Sequence, residues 1–149
     1  MRTVIQLVSK AKVVVEGEIT GEIGRGLCVL VGFEDEDTLQ DMEWMIRKII
    51  GMRIFSDGEK MNLNVEDVKG SLLIVSQFTL YGSTKKGNRP SFIQAAKPDQ
   101  AKKLYIQFAD MLREKSPVPV AFGVFGAHME LSICNDGPVT ITMDSKNKV

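Results

Sequence analysis

The chain of 149 residues carries 19 Lys and Arg, 19 Asp and Glu and one His, so its formal net charge is zero. Its 44% hydrophobic and 26% charged residues are typical of a globular domain and exclude a disordered chain, and the zero net charge excludes a uniformly basic surface for nucleic acid. The charge is nevertheless segregated: residues 1–75 hold nine basic and 13 acidic side chains, a net charge of −4, whereas residues 76–149 hold ten and six, a net charge of +4.

Short β-rich segments dominate the first third of the chain and a helix follows them. The predicted strands in this part cover residues 4–8, 11–15, 18–23 and 27–33, and a further strand over 52–55 is predicted after the helix. The helix is predicted from Asp37 or Thr38, either of which can cap it, to Gly51, because apolar residues recur at helical spacing between these positions. Asp57 and Gly58, which stand between apolar segments, predict a turn.

The second half begins with a predicted strand over residues 71–81, whose Leu-Leu-Ile-Val sequence suits burial on both faces. A polar, glycine-containing segment follows, and a second helix is predicted from Pro98 until Pro117 ends it. Further strands are predicted over residues 120–125, 129–134 and 139–143, with residues 135–138 as the turn between the last two and a frayed tail over 144–149. This order predicts an α+β fold in which curved, mostly antiparallel sheets form a barrel-like core with two main helices packed outside.

Two cysteines and the N-terminal sequence indicate the compartment. Cys28 and Cys134 each lie in an apolar, strand-like segment, and their spacing matches no metal-binding or disulfide-exchange motif, so both are predicted to be free buried thiols. The N-terminal segment alternates apolar and polar residues rather than forming an apolar signal core. These features predict a soluble, cytoplasmic protein.

A basic stripe runs from Lys85 to Lys103, with six basic side chains and one acidic side chain in 19 residues. Such a stripe can neutralise several phosphates of a nucleic acid, and Lys85, Lys86 and Arg89 are the candidate nucleic-acid contacts within it. A solvated loop and helix face explains the same composition equally well. The stripe lacks the interleaved aromatic residues with which single-strand binders stack on bases.

Two further segments are candidates for chemistry. Ser76-Gln77-Phe78-Thr79 ends the predicted buried strand, where backbone N–H groups can stabilise an oxyanion, although an ordinary strand end with local hydroxyl hydrogen bonds explains it as well. No base for a Ser or Thr nucleophile is evident, because the single His128 has no partner that would make it a catalytic base. Asn135-Asp136-Gly137-Pro138 is typical of a hairpin turn.

Together the two segments resemble the D-aminoacyl-tRNA deacylase family, in which a Ser-Gln-Phe-Thr motif precedes an Asn-Asp-Gly-Pro-Val-Thr motif by about sixty residues. The resemblance covers essentially the whole chain as one deacylase domain, residues 1–149. The supporting stretches are residues 15–18, 20–24, 53–57, 60–64 and 89–92.

The resemblance implies a homodimeric hydrolase that needs no metal or other cofactor and cleaves the ester bond of D-aminoacyl-tRNA, or of glycine mischarged on alanine tRNA. It implies catalytic roles for Ser76, Gln77, Phe78 and Thr79, with the N–H groups of Gln77 and Phe78 or their neighbours as the oxyanion hole. The resemblance also offers Thr79 as a nucleophile. Because no base is evident near it, the preferred prediction is that Thr79 supports the reaction while water attacks and the ribose 2′-hydroxyl assists, and both roles of Thr79 stay open from the sequence.

The resemblance also implies how the substrate is selected. Gly137 and Pro138, joined by a cis bond, would enter the active site of the partner subunit and hold the α-amino group of the substrate so that an L side chain clashes. Phe125 and Met129 correspond to the wall around the terminal adenosine, although simple core packing explains each of them as well.

Two other functions remain open from the sequence. A non-catalytic RNA-binding module could use the basic stripe from Lys85 to Lys103. A serine-type esterase of small metabolites is disfavoured, because the chain has neither a Gly-x-Ser-x-Gly motif nor a credible His–acid pair.

Overall fold

One six-stranded sheet and one two-stranded hairpin hold the strands of the computed structural model, which describes all residues from 1 to 149. The strands are β1 Arg2–Val15, β2 Glu18–Ile23, β3 Gly26–Gly32, β4 Phe55–Ser56, β5 Met61–Leu63, β6 Ser71–Ser76, β7 Val120–Phe122 and β8 Glu130–Asp144. The helices are α1 Leu39–Gly51 and α2 Pro98–Lys115, and a 3₁₀ turn covers Phe78–Tyr81. Neither helix has the length and apolar character needed to cross a membrane.

β1 is the centre of the large sheet, because its length allows it to pair with three other strands. It is antiparallel to β2, β3 and β8, while β3–β6 and β6–β7 are parallel. The strand path β2-β1-β3-β6-β7 nearly closes on itself: a Cβ atom on Gly21 in β2 would lie 2.6 Å from the carbonyl oxygen of Phe122 in β7. The prediction of an α+β fold with a mostly antiparallel, barrel-like core is therefore confirmed.

The helices cover one face of this sheet and form the larger hydrophobic core with it. Phe108 of α2 is fully buried and packs edge-to-face against Phe33, with 6.0 Å between the ring centres. On α1, Met42, Met45 and Ile49 are fully buried. Since these residues recur every three or four positions, burial of one stripe on each amphipathic helix accounts for the docking of both helices.

The predicted ends of both helices are close to the observed ones. Thr38 caps α1, since its hydroxyl accepts from the N–H of Asp41 while the Asp41 carboxylate accepts from the N–H of Thr38. Lys146 Nζ lies 2.6 Å from Asp41 Oδ2. Burial favours the neutral acid, but hydrogen bonds from Lys146 and Thr38 outweigh it and hold the pKa of Asp41 well below its ordinary value. The predicted fraying of the tail is wrong, because Lys146 and the buried Ser145 tie it to the body of the fold.

Four boundaries differ from the predictions. The first two predicted strands are one strand, β1, and the last two are one strand, β8, so residues 135–138 do not form a hairpin turn. The strand predicted over 71–81 ends at Ser76 and gives way to the 3₁₀ turn, and the strand predicted over 52–55 is reduced to β4. Both long strands remain continuous because they pair with each other almost from end to end.

The two cysteines have different environments. Cys28 is buried in β3, and burial raises the pKa of its thiol to about 12, so it is a small core residue. The predicted burial of Cys134 is wrong: its side chain is exposed. β8 is hydrogen-bonded only to β1, and alternate residues of such an edge strand face solvent.

Candidate functional site

The end of β6 and the 3₁₀ turn after it hold the four predicted catalytic residues. Ser76 is the last residue of β6, and the N–H of Gln77 donates to the carbonyl oxygen of Val31 in β3 at 2.7 Å. The prediction that the Gln77 N–H belongs to an oxyanion hole is therefore wrong, because the sheet already uses this donor. The N–H groups of Phe78 and Thr79, which begin the 3₁₀ turn, have no acceptor within the chain.

The side chain of Thr79 has one hydrogen-bond partner. Its hydroxyl oxygen accepts from the side-chain amide of Gln77, and no carboxylate, imidazole or amine contacts it. An amide N–H cannot remove a proton from a hydroxyl. The arrangement therefore fits a positioned hydroxyl and provides no general base for a nucleophile.

Arg2 and Gly32 hold this turn against the sheet. Arg2 Nη1 donates to the carbonyl oxygen of Leu80 at 3.3 Å, and its guanidinium lies 4.5 Å from the centre of the Tyr81 ring. Arg2 Nε also pairs with Asp144 Oδ2 at 2.9 Å. A Cβ atom on Gly32 would lie only 2.8 Å from the carbonyl oxygen of Gln77, so the turn approaches the backbone of β3 closely.

No pattern in the sequence marks Arg2 and Gly32 as supports of the turn. Arg2 is separated from Leu80 by 78 positions and from Asp144 by 142 positions, so no local pattern connects them. Gly32 is the residue before the last in the predicted strand 27–33, where a glycine has many ordinary explanations. Only the parallel pairing of β3 with β6, which brings the end of β3 beside Gln77, gives it a function in the site.

The second predicted segment forms a large bulge in β8. Asn135 pairs with Val8 and Thr140 with Gln6, so the four residues 136–139 lie opposite the single residue Leu7. The side chain of Asn135 closes the base of this bulge: its Oδ1 accepts from the N–H of Val139 at 3.2 Å, and its Nδ2 donates to Thr140 Oγ1 at 3.1 Å. We call residues 136–139 the β8 bulge.

Gly137 and Pro138 lie at the exposed tip of the β8 bulge, and the peptide bond between them is cis. Within one chain this tip is far from the catalytic segment. The residues in register across the sheet from the base of the bulge are Thr140, Gln6, Cys28 and Leu73. Leu73 lies three strand spacings from Thr140, and Ser76 lies three residues further along β6. These two steps separate Thr140 from Ser76 by about 17 Å along the sheet.

Phe125 and Met129 lie in the segment between β7 and β8, and both are partly buried. The Phe125 ring packs on Tyr105 of α2, with 5.3 Å between the ring centres, whereas Met129 packs against the smaller core cluster of β1, β3 and β6. They face different parts of the core. The assignment of Phe125 and Met129 to one pocket wall therefore stays a prediction.

Lys85, Lys86 and Arg89 are exposed in a loop next to the catalytic turn. Ser83 and Ser91 close this loop through two backbone hydrogen bonds of 2.8 and 3.0 Å. We call residues 83–91 the basic loop. It contains three basic and no acidic side chains.

Aromatic residues accompany the basic loop, contrary to the expectation that the stripe from Lys85 to Lys103 lacks them, since Phe92 lies within that stripe. Phe92 directly follows the loop and packs edge-to-face on Phe78, with 5.3 Å between the ring centres. Phe78 is 57% exposed, Phe92 37% and Ile93 92%. Apolar rings and positive charges therefore share one surface beside the free N–H groups.

No group of three or more His, Cys, Asp or Glu side chains has an arrangement that could bind a metal ion. His128 is exposed in the segment before β8 and makes no side-chain hydrogen bond. The polar groups that the catalytic segment itself presents are backbone donors, hydroxyls and a side-chain amide.

Comparison with known proteins identifies the family. A family model described as D-Tyr-tRNA(Tyr) deacylase matches residues 4–144. Curated proteins named D-aminoacyl-tRNA deacylase from Flavobacterium johnsoniae and Chloroherpeton thalassium are each 54% identical over 149 residues, covering 99% of this chain and 99% and 98% of theirs. A solved structure titled c-Myc DNA Unwinding Element Binding Protein is 43% identical and superposes with a TM-score of 0.92 over 97% of this chain and 98% of its own. The chain therefore belongs to the D-Tyr-tRNA(Tyr) deacylase family, whose members are enzymes that hydrolyse the ester bond of aminoacyl-tRNA.

Proposed function

We propose that this protein hydrolyses the ester between a D-amino acid, or glycine on alanine tRNA, and the terminal ribose of tRNA, and rejects L-aminoacyl-tRNA. In the cytoplasm this activity would remove amino acids of the wrong chirality before they enter translation. The free N–H groups of Phe78 and Thr79 carry the proposal, because they are two neighbouring donors without acceptors in the segment that the family motif marks.

In the proposed reaction these two N–H groups stabilise the negative charge that develops on the ester carbonyl oxygen. Backbone donors that are already in place need no reorganisation, and each such donor is worth about 3–4 kcal/mol of transition-state stabilisation. Water attacks the carbonyl carbon with assistance from the ribose 2′-hydroxyl. Ser76, Gln77 and Thr79 keep the turn in place, and Gln77 orients the Thr79 hydroxyl.

Selection by chirality is assigned to the β8 bulge of a second subunit. The bulge lies about 17 Å along the sheet from Ser76 of its own chain, which favours an active site completed by a partner. β8 also leaves one long edge without a strand neighbour, and such an edge favours a second copy of the chain. Carbonyl oxygens at Gly137 and Pro138 would hold the α-amino group, and glycine would pass because it has no side chain to reject.

The direct test is hydrolysis of D-Tyr-tRNA and L-Tyr-tRNA by the purified protein. We expect the D-ester to be hydrolysed at least 100 times faster than the L-ester, with release of free tRNA followed by acid gel electrophoresis. Mischarged Gly-tRNA(Ala) should also be a substrate. Equal rates on both enantiomers would contradict the proposed selection, and no hydrolysis of either would contradict the proposed function.

Thr79→Ala is expected to retain a large part of the activity, with kcat reduced by no more than about tenfold. A nucleophile would instead be indispensable, because loss of such a group lowers kcat by orders of magnitude. The measurement is kcat on D-Tyr-tRNA under saturating conditions. A reduction of 10⁴-fold or more would assign the attacking oxygen to Thr79 rather than to water.

A mixture of two inactive variants is expected to regain activity if the site is shared between subunits. The first variant is Phe78→Pro, which lacks one oxyanion donor. The second variant is a deletion of Gly137 and Pro138. It leaves residues 136 and 139 opposite Leu7, and two residues opposite one is the arrangement of an ordinary bulge. In a mixed dimer one site combines the intact turn with the intact bulge.

The readout is selective hydrolysis of D-Tyr-tRNA after the two variants are unfolded together and refolded. Mixed dimers should each recover about one working site, whereas each variant refolded alone should remain defective. If the bulge acted in the site of its own chain, every site in the mixture would be defective and no recovery would occur.

A non-catalytic RNA-binding module is the second candidate, and the basic loop favours it. Binding of uncharged tRNA at several salt concentrations distinguishes the two. Tight binding with a steep salt dependence and no hydrolysis would favour the module, whereas weak binding with rapid hydrolysis favours the enzyme.

A further inference from the structure

We propose that Phe92, supported by Phe78 and Ile93, is a stacking platform for the unpaired nucleotide that precedes the terminal adenosine of tRNA. The proposal rests on the proposed function, since it assigns a further contact to the same substrate. The proposed contact is made by the Phe92 ring and Ile93. It is separate from the adenosine wall assigned to Phe125 and Met129 and from the backbone N–H donors of the catalytic turn.

The exposure of this surface requires an explanation. Phe92 is 37% exposed and Ile93 is 92% exposed, although two adjacent large apolar side chains lose stabilising burial when they face water. Exposed apolar residues that cluster beside a charged rim indicate a binding surface rather than scattered exceptions. Phe78, at 57% exposure, extends the same cluster toward the catalytic turn.

The Phe92 ring has a fixed position and orientation. It packs edge-to-face on Phe78 with an interplanar angle of 74°. The two hydrogen bonds between Ser83 and Ser91 fix the chain immediately before it. A ring that is already held loses little conformational freedom when a base stacks on it, which increases the net gain from stacking.

The positive charge of the basic loop favours a nucleic acid, rather than a second copy of the chain, as the partner that binds this surface. The basic loop carries Lys85, Lys86 and Arg89 and has no acidic residue, so it is complementary to phosphates. Two basic loops brought together at a two-fold contact would repel each other. Stacked bases beside neutralised phosphates are the usual way in which single-stranded RNA is bound.

The position of Phe92 relative to the catalytic turn indicates which nucleotide stacks on its ring. Phe78 provides both a donor to the reacting ester and the ring against which Phe92 packs. The platform therefore begins one side chain away from the terminal ribose. The nearest part of the substrate that is not already assigned a contact is the nucleotide before the terminal adenosine.

The experiment compares two esters, D-tyrosyl-adenosine and the D-tyrosyl ester of the trinucleotide CpCpA. For Phe92→Ala we expect KM to rise about tenfold for the trinucleotide ester, a factor that corresponds to one stacked base. KM for the adenosine ester and kcat for both esters should change by less than twofold. Phe92→Trp should restore the trinucleotide KM, whereas Phe92→Leu, which is apolar but has no aromatic face, should not.

Ile106→Ala is the matched control, because Ile106 is an exposed apolar residue, 49% accessible, on the outer face of α2. It should leave both KM values unchanged. A second measurement, the anisotropy of fluorescein-labelled uncharged CpCpA, reports binding without chemistry and should show the same order of variants.

Several outcomes would contradict the proposal that Phe92 is a stacking platform. Equal KM changes for both esters, full rescue by Phe92→Leu, or unchanged CpCpA binding by Phe92→Ala would each contradict stacking on this nucleotide. Dissociation of the protein into monomers by Phe92→Ala in analytical ultracentrifugation would assign the surface to a contact between copies. If the wild type hydrolysed neither ester while Phe92→Ala still weakened CpCpA binding, the proposed function would fail and the platform would stand.

Discussion

Phe78→Pro is expected to lower kcat for D-aminoacyl-tRNA by 100- to 1000-fold relative to Phe78→Ala. Proline has no backbone N–H, so the change removes one donor that the proposed mechanism directs at the oxyanion. Phe78 is the first residue of the 3₁₀ turn and its N–H has no acceptor in the chain, so no structural hydrogen bond is lost. The first position of a helical turn is also where proline is best tolerated.

The comparison with Phe78→Ala separates the donor from the side chain. Both variants lack the Phe78 ring, so an effect of the ring on substrate binding appears in both. The measurement is single-turnover hydrolysis of D-Tyr-tRNA, with circular dichroism to verify that both variants are folded. Similar rates for the proline and alanine variants would exclude the Phe78 N–H from the reaction.

Gly32→Ala is expected to reduce kcat about 100-fold although Gly32 touches no substrate in the proposed mechanism. The new Cβ atom would lie 2.8 Å from the carbonyl oxygen of Gln77 and 3.3 Å from Cβ of Leu80, so the turn has to move away from β3. A displacement of about 1 Å in groups that position a reaction can lower the rate 100-fold. Overpacking should also lower the free energy of unfolding by about 1–3 kcal/mol.

Gly24→Ala is the matched control for this variant. Gly24 lies eight positions earlier in the loop before β3, and no heavy atom lies within 4 Å of the position its Cβ would take. Its activity and melting temperature should resemble those of the wild type. Wild-type activity of Gly32→Ala would show that the turn tolerates displacement, and the close approach of β3 would then have no catalytic role.

The sequence correctly predicted the elements that are determined by residues close together in the chain. Both helices begin close to the predicted residues, because Thr38 and Pro98 are start signals that act within one turn. The burial of β6 on both faces also follows from four adjacent apolar residues. The turn at residues 57–60 formed because the Asp57 side chain accepts from the N–H groups of Glu59 and Lys60.

The errors concern features that depend on distant partners. Residues 135–138 carry every local sign of a hairpin turn, yet they form a bulge because β1 pairs with β8 on both sides of them. The N–H of Gln77 was expected to face the substrate, but the carbonyl oxygen of Val31, 46 positions away along the chain, accepts from it. Pairing between strands decides both cases, and no window of a few residues contains that information.

The pairing of β1 with β8 also determines when a newly made chain can complete its fold. About 115 residues separate the paired segments 2–14 and 130–144, and a ribosome adds about 5–20 residues per second, so one edge of β1 remains open for about 6–23 s. An open strand edge is a template for association with another chain. Nascent chains that stall before β8 is made should therefore be prone to aggregation, and they would also lack the bulge on which the proposed selection depends.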